Sequence, residues 1–282
     1  MYQTLRPPKH LQKYIDLFWF GDDLDLPQKP NTYHSVATSK IELLFFDKGI
    51  YSHNKNGIDE SVYKAGFYGQ TTSFKHYFAT AQQTTIFGIT FSPLAALTLF
   101  KVPANELTHQ IIDITSIMGN HGNELADKVY ESETFQKKAK VAIEFFNNRV
   151  KELHLKYHAV ESLIHSINQT NPISLPQLVA QSYLSQRQFE RHFKELAGFS
   201  AKTFLKIRRF ERFIEHVSAI PNTSDRRLLD IALDLGYYDQ AHLNRHFKEF
   251  TGLNPKAYFQ NSILQQGNTE NVDCVQFYGF AK

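Results

Sequence analysis

A sixteen-residue stretch of this chain occurs twice, with fifty-four residues between the two starting points. The first copy, FERHFKELAGFSAKTF, covers 189–204, and the second, LNRHFKEFTGLNPKAY, covers 243–258. In both copies apolar side chains recur at the three- and four-residue spacing that places them on one face of an α-helix. These side chains are Phe189, Phe193 and Leu196 in the first copy and Leu243, Phe247 and Phe250 in the second. The repeat therefore predicts two matching amphipathic helices, each with one buried face.

A short apolar-patterned segment and a tight turn precede each of these helices. ISLPQLVAQSYLS ends on Ser185 and RLLDIALDLGYYD ends on Asp239, and both residue types cap helix N-termini. Each half is thus predicted to be a helix-turn-helix unit, joined to the other by a helix over SAKTFLKIRRFERFIEHV. Within that helix, IRRFER (207–212) is either a nucleic-acid patch or the polar side of the helix, with one arginine in an internal salt bridge.

The face opposite each apolar stripe is polar and basic. It holds Arg187, Glu190, Arg191 and Lys194 in the first copy and Ala241, Asn244, Arg245 and Lys248 in the second. Such side chains can hydrogen-bond base edges and phosphates. Residues 172–260 contain thirteen Lys and Arg against nine Asp and Glu, whereas 1–171 contain seventeen of each. The basic excess therefore lies in the part that holds the repeat, which favours a polyanionic partner.

The first half of the chain has a different pattern. Short runs rich in β-branched and aromatic residues fill residues 14–115, which predicts a strand-rich sandwich or small barrel. Residues 122–167 have helical spacing, and NQTNP (168–172) is predicted to be a linker across which few core contacts pass. We expect an α+β chain of two domains: 1–167, β-rich over 1–120 and helical over 121–167, and an all-α domain over 173–260, followed by a tail over 261–282.

Composition excludes several other classes. No apolar run approaches the eighteen or so residues that a membrane span requires, and MYQTLRPPKHLQKYIDLFWF lacks the features of a secretory signal. We therefore expect the protein in the cytoplasm, without a membrane partner. Cys274 is the single cysteine, so neither an internal disulfide nor a cysteine-based zinc site can form.

The segment IALDLGYYDQAHLNRHFKEFTGLNPKAY (231–258) resembles the DNA-binding domain of the AraC/XylS family of bacterial transcriptional regulators. The family pattern there is approximately I-A-x3-G-[FY]-x-D-x3-[FL]-x-R-x-F-K-x3-G-x2-P-x2-[YF], and this chain fills nearly every position. The first half departs from the pattern, since Val179 stands at a usual alanine, Tyr183 at a common turn glycine, and the turn is one residue shorter.

The resemblance implies that 185–197 and 239–250 are two recognition helices in successive major grooves of double-stranded DNA. Arg191 and Arg245 are expected to contact bases, because a guanidinium can bond guanine O6 and N7 together. Glu190 could accept from cytosine or could support Arg191, and His192 and His246 are expected to be packing residues. The remaining predicted base readers are Gln186, Arg187, Gln240, His242 and Asn244, and the predicted phosphate contacts are Ser185, Lys194 and Lys248.

Residues 1–120 also resemble the sensor domain of some AraC-type regulators, which implies a cupin-like or related barrel followed by helices. The histidines of this part, His34, His53, His76 and His109, are widely scattered, so we expect no metal site and no cofactor. No phosphate loop, nucleophile elbow or close carboxylate pair predicts catalysis.

The resulting prediction is a sequence-specific DNA-binding regulator that is not an enzyme. RNA polymerase, a small-molecule effector bound among the N-terminal aromatics and a second copy of the chain are left open as further partners. Two alternatives also stay open: a β-barrel enzyme with a regulatory helical domain, and an architectural DNA binder that ignores sequence. The second alternative predicts equal binding to operator and random DNA at matched salt.

Overall fold

The N-terminal part of the chain is built on one antiparallel sheet. The computed structural model describes residues 2–21, 32–54, 57–79, 85–151, 158–169, 174–218, 220, 225–259 and 278–279. The strands are β1 (Tyr2–Leu5), β2 (Ile15–Gly21), β3 (Thr32–Ser35), β4 (Ile41–Asn54), β5 (Gly57–Tyr68), β6 (Lys75–Ala79), β7 (Ile86–Phe91), β8 (Ile111–Asp113) and β9 (Tyr278–Gly279).

The strands pair in the order β1-β2-β7-β4-β6-β3-β9, with β5 beside β4 and β8 beside β5. Every pairing is antiparallel, and within the described residues the sheet does not close on itself. The prediction of a two-domain α+β chain is thus confirmed, with an open antiparallel sheet in place of a closed barrel. Of the tail over 261–282, only Tyr278–Gly279 is described, where it pairs with β3.

One face of the sheet is covered by short helices. These helices are α1 (Ala95–Leu99), α2 (Ala104–Leu107), α3 (Ile114–Met118), α4 (Asn120–Glu131) and α5 (Phe135–Lys151). Aromatic side chains of the strands, including Phe18, Phe67 and Phe91, form one buried core with Phe100 of the connection after α1 and Phe146 of α5. Most of the N-terminal aromatic residues are therefore used for packing.

The C-terminal part is helical, as predicted. The helix α6 (His158–Gln169) comes first and lies mainly within the segment predicted for the N-terminal domain, and the helices of the predicted C-terminal domain are α7 (Leu175–Ser182), α8 (Gln186–Ala197), α9 (Ala201–Ser218), α10 (Asp225–Asp234) and α11 (Gln240–Thr251). The apolar side of α6 joins the same core as α7 to α11, through Val160, Ile164 and Ile167. The boundary at 168–172 stays a prediction, because 170–173 lie outside the described residues.

Core contacts also cross between the two parts of the chain. Val36, Ala37 and Leu94 of the N-terminal part are buried in the core that contains Phe193 and Phe247. The expectation of few such contacts was wrong, because a linker's composition describes only the linker and not the surfaces on either side of it. No helix of the described residues is long and apolar enough to cross a membrane.

Candidate DNA-binding interface

Both predicted recognition helices begin at the predicted caps. The Ser185 hydroxyl accepts a hydrogen bond from the backbone N–H of Gln188, and the side-chain oxygen of Gln188 accepts one from the backbone N–H of Ser185. In α11 the Asp239 carboxylate accepts from the backbone N–H of His242 at 2.7 Å. These bonds satisfy N–H groups that the first turn of a helix leaves without partners.

The two helices bury the same stripe. Each of the six apolar side chains predicted from the repeat is at most 2% exposed. The Phe193 ring lies 5.4 Å from Phe204 of α9, and the Phe247 ring lies 5.1 Å from Phe210 of α9. Both helices therefore pack on α9, the first near its beginning and the second further along.

The polar faces point outward. Arg187, Arg191 and Lys194 follow one another at helical spacing on α8, and Arg245 and Lys248 take the corresponding positions on α11. The exposed members of the predicted set are Ser185, Gln186, Arg187, Arg191, Lys194, Gln240, Asn244, Arg245 and Lys248, while Glu190 and His242 are half-buried. This arrangement leaves two basic faces open to solvent on helices that share one support.

His242 is engaged within its own domain. Its Nδ1 lies 3.3 Å from the donating backbone N–H of Tyr238, and its Nε2 lies 3.2 Å from Nε2 of His246. Burial and then the charges of Arg209 and Arg245 lower the pKa of His242. Both ring nitrogens thus have partners inside the protein, which leaves less capacity for a base contact than its position suggested.

The other two histidines of the helices differ from each other. His246 is 5% exposed, which confirms the packing interpretation, whereas His192 is half-buried and lies 3.2 Å from Nη2 of Arg191. One of the three arginines of IRRFER makes the predicted internal salt bridge, because Arg208 is buried and pairs with Glu211 at 2.5 Å.

The turns of the two units show how the first half departs from the family pattern. Tyr183 has a left-handed backbone, with φ 55° and ψ 23°, where the second unit places Gly236 with φ 85°. A bulky residue rarely takes this conformation. The Tyr183 side chain is 95% exposed, so no packing contact in the described residues holds it there.

The sequence pattern did not predict the contacts at the far ends of the two recognition helices. Ala197 at the end of α8, Gly198 directly after it, and Phe250 near the end of α11 contact the N-terminal part of the chain. It also missed a cavity of about 380 Å³ between the sheet and α9, lined among others by Arg6, Lys40 and Phe210. No local pattern marks these features, since each joins residues far apart in the chain.

Comparison with known proteins agrees with this geometry. A family model described as a helix-turn-helix domain matches residues 178–261, which include both units and the whole motif from 231 to 258. The C-terminal domain is an AraC-type helix-turn-helix domain. This confirms the resemblance to the AraC/XylS family. A second family, described as a domain of unknown function (DUF6597), matches residues 3–113, so the sheet lies outside the AraC-type domain.

Individual relatives are more distant. The chain is 29% identical over 107 residues to the F1 operon positive regulatory protein of Yersinia pestis, an alignment of 37% of this chain and 34% of that protein. The chain thus matches about a third of the length of this curated relative. It is also similar to a crystal structure of ToxT from Vibrio cholerae O395, with 13% identity, a TM-score of 0.47, and coverage of 88% of this chain and 99% of ToxT. A second ToxT structure from Vibrio cholerae has 12% identity, a TM-score of 0.46, and coverage of 92% and 98%.

Proposed function

We propose that the protein is a sequence-specific DNA-binding transcriptional regulator that reads two successive major grooves with α8 and α11. The observation that supports this most directly is the matched pair of helices on α9. Each has an apolar face at most 2% exposed and an opposite face with an exposed arginine and lysine. Two readers that enter the same face of a duplex must be about one helical turn, roughly 34 Å, apart.

Within this proposal the side chains have separate roles. Arg191 and Arg245 contact base edges, supported by the second group of readers, Gln186, Arg187, Glu190, Gln240, His242 and Asn244. Ser185, Lys194 and Lys248 contact phosphates, which positions the helices without reading sequence. Mutation of the two groups should therefore have different consequences for specificity.

The N-terminal domain regulates this binding. The cavity of about 380 Å³ between the sheet and α9 has the size of a small-molecule site and contacts the helix that supports both readers. An effector in this cavity would act on α9 directly. The Yersinia pestis relative is named a positive regulatory protein, which favours activation of transcription by this chain as well. The further partners in this role are RNA polymerase and a second copy of the chain. The protein acts in the cytoplasm, where its DNA is accessible, and has no catalytic role.

Selection of bound sequences from a random DNA library tests the proposal. The full chain should recover a two-part site, and binding to that site should exceed binding to shuffled DNA at matched salt. Arg245→Ala should weaken binding to the selected site by about 1–3 kcal/mol and relax base preference in one half of it. Lys248→Ala should weaken binding to selected and shuffled DNA alike, and it should reduce the dependence of the affinity on salt concentration.

Lys140→Ala provides the control, because Lys140 is an exposed residue of α5, far along the chain from the readers. It should change neither affinity nor preference. Equal affinity of the unsubstituted chain for selected and shuffled DNA would contradict the proposal and favour an architectural binder. Loss of sequence preference in Lys248→Ala would contradict the division of roles.

A further inference from the structure

Two loops of the N-terminal domain meet the ends of both recognition helices. We call residues 36–40 and 69–74 the capping loops. They are joined to each other by a bridge in which Thr38 N–H donates to Thr71 O at 2.9 Å and Thr71 N–H donates to Thr38 O at 3.0 Å. The bridge therefore ties the two loops to each other.

The first contact is at the C-terminal end of α8. The Gln70 amide donates to Ala104 O at 2.8 Å and lies 3.5 Å from Ala197 O, and the Thr108 hydroxyl donates to Gly198 O at 3.1 Å. Gly198 has φ 81°, and a Cβ added there would lie 1.6 Å from Nε2 of Gln70. Carbonyl groups at the end of a helix have no partners within the helix, and here the N-terminal domain supplies them.

The second contact is at the corresponding end of α11. Ala37 N–H donates to Phe250 O at 2.9 Å. Gly252, which has φ 74°, lies so close to Phe74 that an added Cβ would be 3.1 Å from its ring. Both recognition helices thus end on a glycine that faces a side chain of the capping loops.

The third contact joins the capping loops to α9. The Glu211 carboxylate accepts from Ser39 N–H at 2.6 Å, from the Ser39 hydroxyl at 2.7 Å and from the Thr38 hydroxyl at 3.0 Å. Burial alone would raise the pKa of Glu211, but Arg208, Lys40 and the Ser39 N–H together hold it below its ordinary value. The carboxylate is therefore a charged tie between the domains at neutral pH.

These contacts give the two readers a second common support. Through α9 alone, α8 is attached near Phe204 and α11 near Phe210. The capping loops attach both helices again at their far ends. This second attachment restricts the angle between α8 and α11, which the attachment to α9 alone would leave freer. We propose that the capping loops and Glu211 set the separation of α8 and α11, so that the N-terminal domain determines which spacing of DNA half-sites is bound. This inference rests on the proposed function.

The first test measures the protein without DNA. Spin labels at the exposed residues Gln181 and Asp234, one in each helix-turn-helix unit, report their separation once Cys274 is replaced by serine. Glu211→Gln should broaden the distance distribution about twofold, as expected when one of two constraints on a rigid unit is removed. Glu215→Gln is the matched control, since Glu215 lies one turn further along α9, has its side chain 56% exposed, and pairs with the same Arg208 at 3.6 Å. It therefore separates a weakened Arg208 ion pair from the loss of charge on the carboxylate that accepts from Ser39 and Thr38.

Two further variants guard against a failure of Glu211→Gln to fold. Ser39→Ala removes a hydroxyl that donates to Glu211, and Thr108→Val removes the bond to Gly198 while keeping the shape of the side chain. Each should broaden the distribution in the same direction. An unchanged distribution in the folded variants would overturn the inference.

The second test uses DNA sites selected by the unsubstituted chain, with the two halves moved apart or together by one base pair. Glu211→Gln should retain the affinity for each half-site alone and lose about tenfold of the preference for the original spacing. Full retention of that preference would overturn the inference. If the unsubstituted chain selects no DNA, the proposed function fails, and the distance measurement alone decides whether the capping loops hold the two units.

Discussion

Glu42 is a carboxyl buried within the N-terminal sheet. It is 5% exposed and accepts a hydrogen bond from the Thr90 hydroxyl at 3.1 Å, across the pair of strands β4 and β7. Burial raises its pKa to about 7, and the bond from Thr90 only partly offsets this. The sheet therefore favours the protonated form over a wide range of pH.

We predict that Glu42→Gln stabilises the protein at pH 8 and has little effect near pH 4. Because the pKa of Glu42 is raised on folding, its contribution to stability is present below the unfolded value of about 4.5 and is lost as the pH rises through about 7. Because the amide of Gln stays neutral, Glu42→Gln should raise the free energy of unfolding at pH 8 by roughly 1–3 kcal/mol.

Urea unfolding of the two proteins at pH 4, 6 and 8 measures the difference directly. Glu144→Gln on α5 is a suitable control, since the Glu144 side chain is 65% exposed. A stability difference that does not change with pH would show that folding leaves the pKa of Glu42 unchanged, and would contradict the prediction.

Among the helices, α11 contains a titratable pair on its inner side. His242 and His246 lie one turn apart with ring centroids 4.4 Å apart, beside Tyr237. The charged groups around them are Lys206 and Arg209 of α9, Arg245 of α11 itself, and Asp239 at its N-terminus. Burial, followed by the charge of Lys206, lowers the pKa of His246 to about 3.

We predict that His246 contributes a loss of stability as the pH drops below about 6.5, so that His246→Gln gains stability relative to the unsubstituted chain between pH 7 and pH 5.5. The unfolded chain binds a proton at His246 near pH 6.5, whereas the folded protein does so only near pH 3, so acid favours the unfolded state. Glu42 takes up a proton over the same interval with the opposite effect on stability, but it does so in both proteins, so the difference between them isolates His246. Glu211 stays charged from pH 5.5 to 7 in both states, because its ordinary pKa of 4.5 lies below this interval and folding lowers it further.

The measurement is the free energy of unfolding at pH 7 and pH 5.5 for both proteins. His216→Gln is the control, as His216 is exposed near the end of α9. An identical loss of stability in His246→Gln and the unsubstituted chain would assign the acid effect to other groups.

At the scale of the whole molecule, the two domains share buried surface. Phe247 is fully buried and touches Phe210, Phe213 and Tyr258, in a core that also contains Ala37 of the N-terminal domain. Removal of its ring should affect both domains, because the core that it supports extends into the capping loops.

We predict that Phe247→Ala costs about 3–5 kcal/mol and that both domains still unfold in one transition. Trp19, the only tryptophan, is buried in the sheet and reports on the N-terminal domain by fluorescence, while far-ultraviolet circular dichroism reports mainly on the helices. The two signals should change at the same temperature.

Tyr238→Ala is the aromatic control, because the Tyr238 side chain is 86% exposed. This substitution should leave the unfolding temperature unchanged. If the Trp19 fluorescence of Phe247→Ala changes at a higher temperature than the circular dichroism signal, the sheet folds independently of the helices.

The features that could be predicted from the sequence are those that depend on residues close together in the chain. The buried stripes, the caps at Ser185 and Asp239 and the outward position of Arg191 and Arg245 follow from helical spacing and from bonds that span three residues. The salt bridge between Arg208 and Glu211 has the same local origin. These interactions form within one or two helical turns, so the order of residues specifies them.

Only the tertiary structure decided how these parts meet. The bonds from Ala37 to Phe250 and from Ser39 to Glu211 join residues more than 170 positions apart. The open sheet likewise depends on pairings between strands that are not consecutive in the chain, such as β2 with β7 and β4 with β7. His242 has an outward-facing position in the motif, yet the rings of Tyr237 and His246 hold it within the domain. Such contacts depend on the relative placement of whole elements, which no local periodicity encodes.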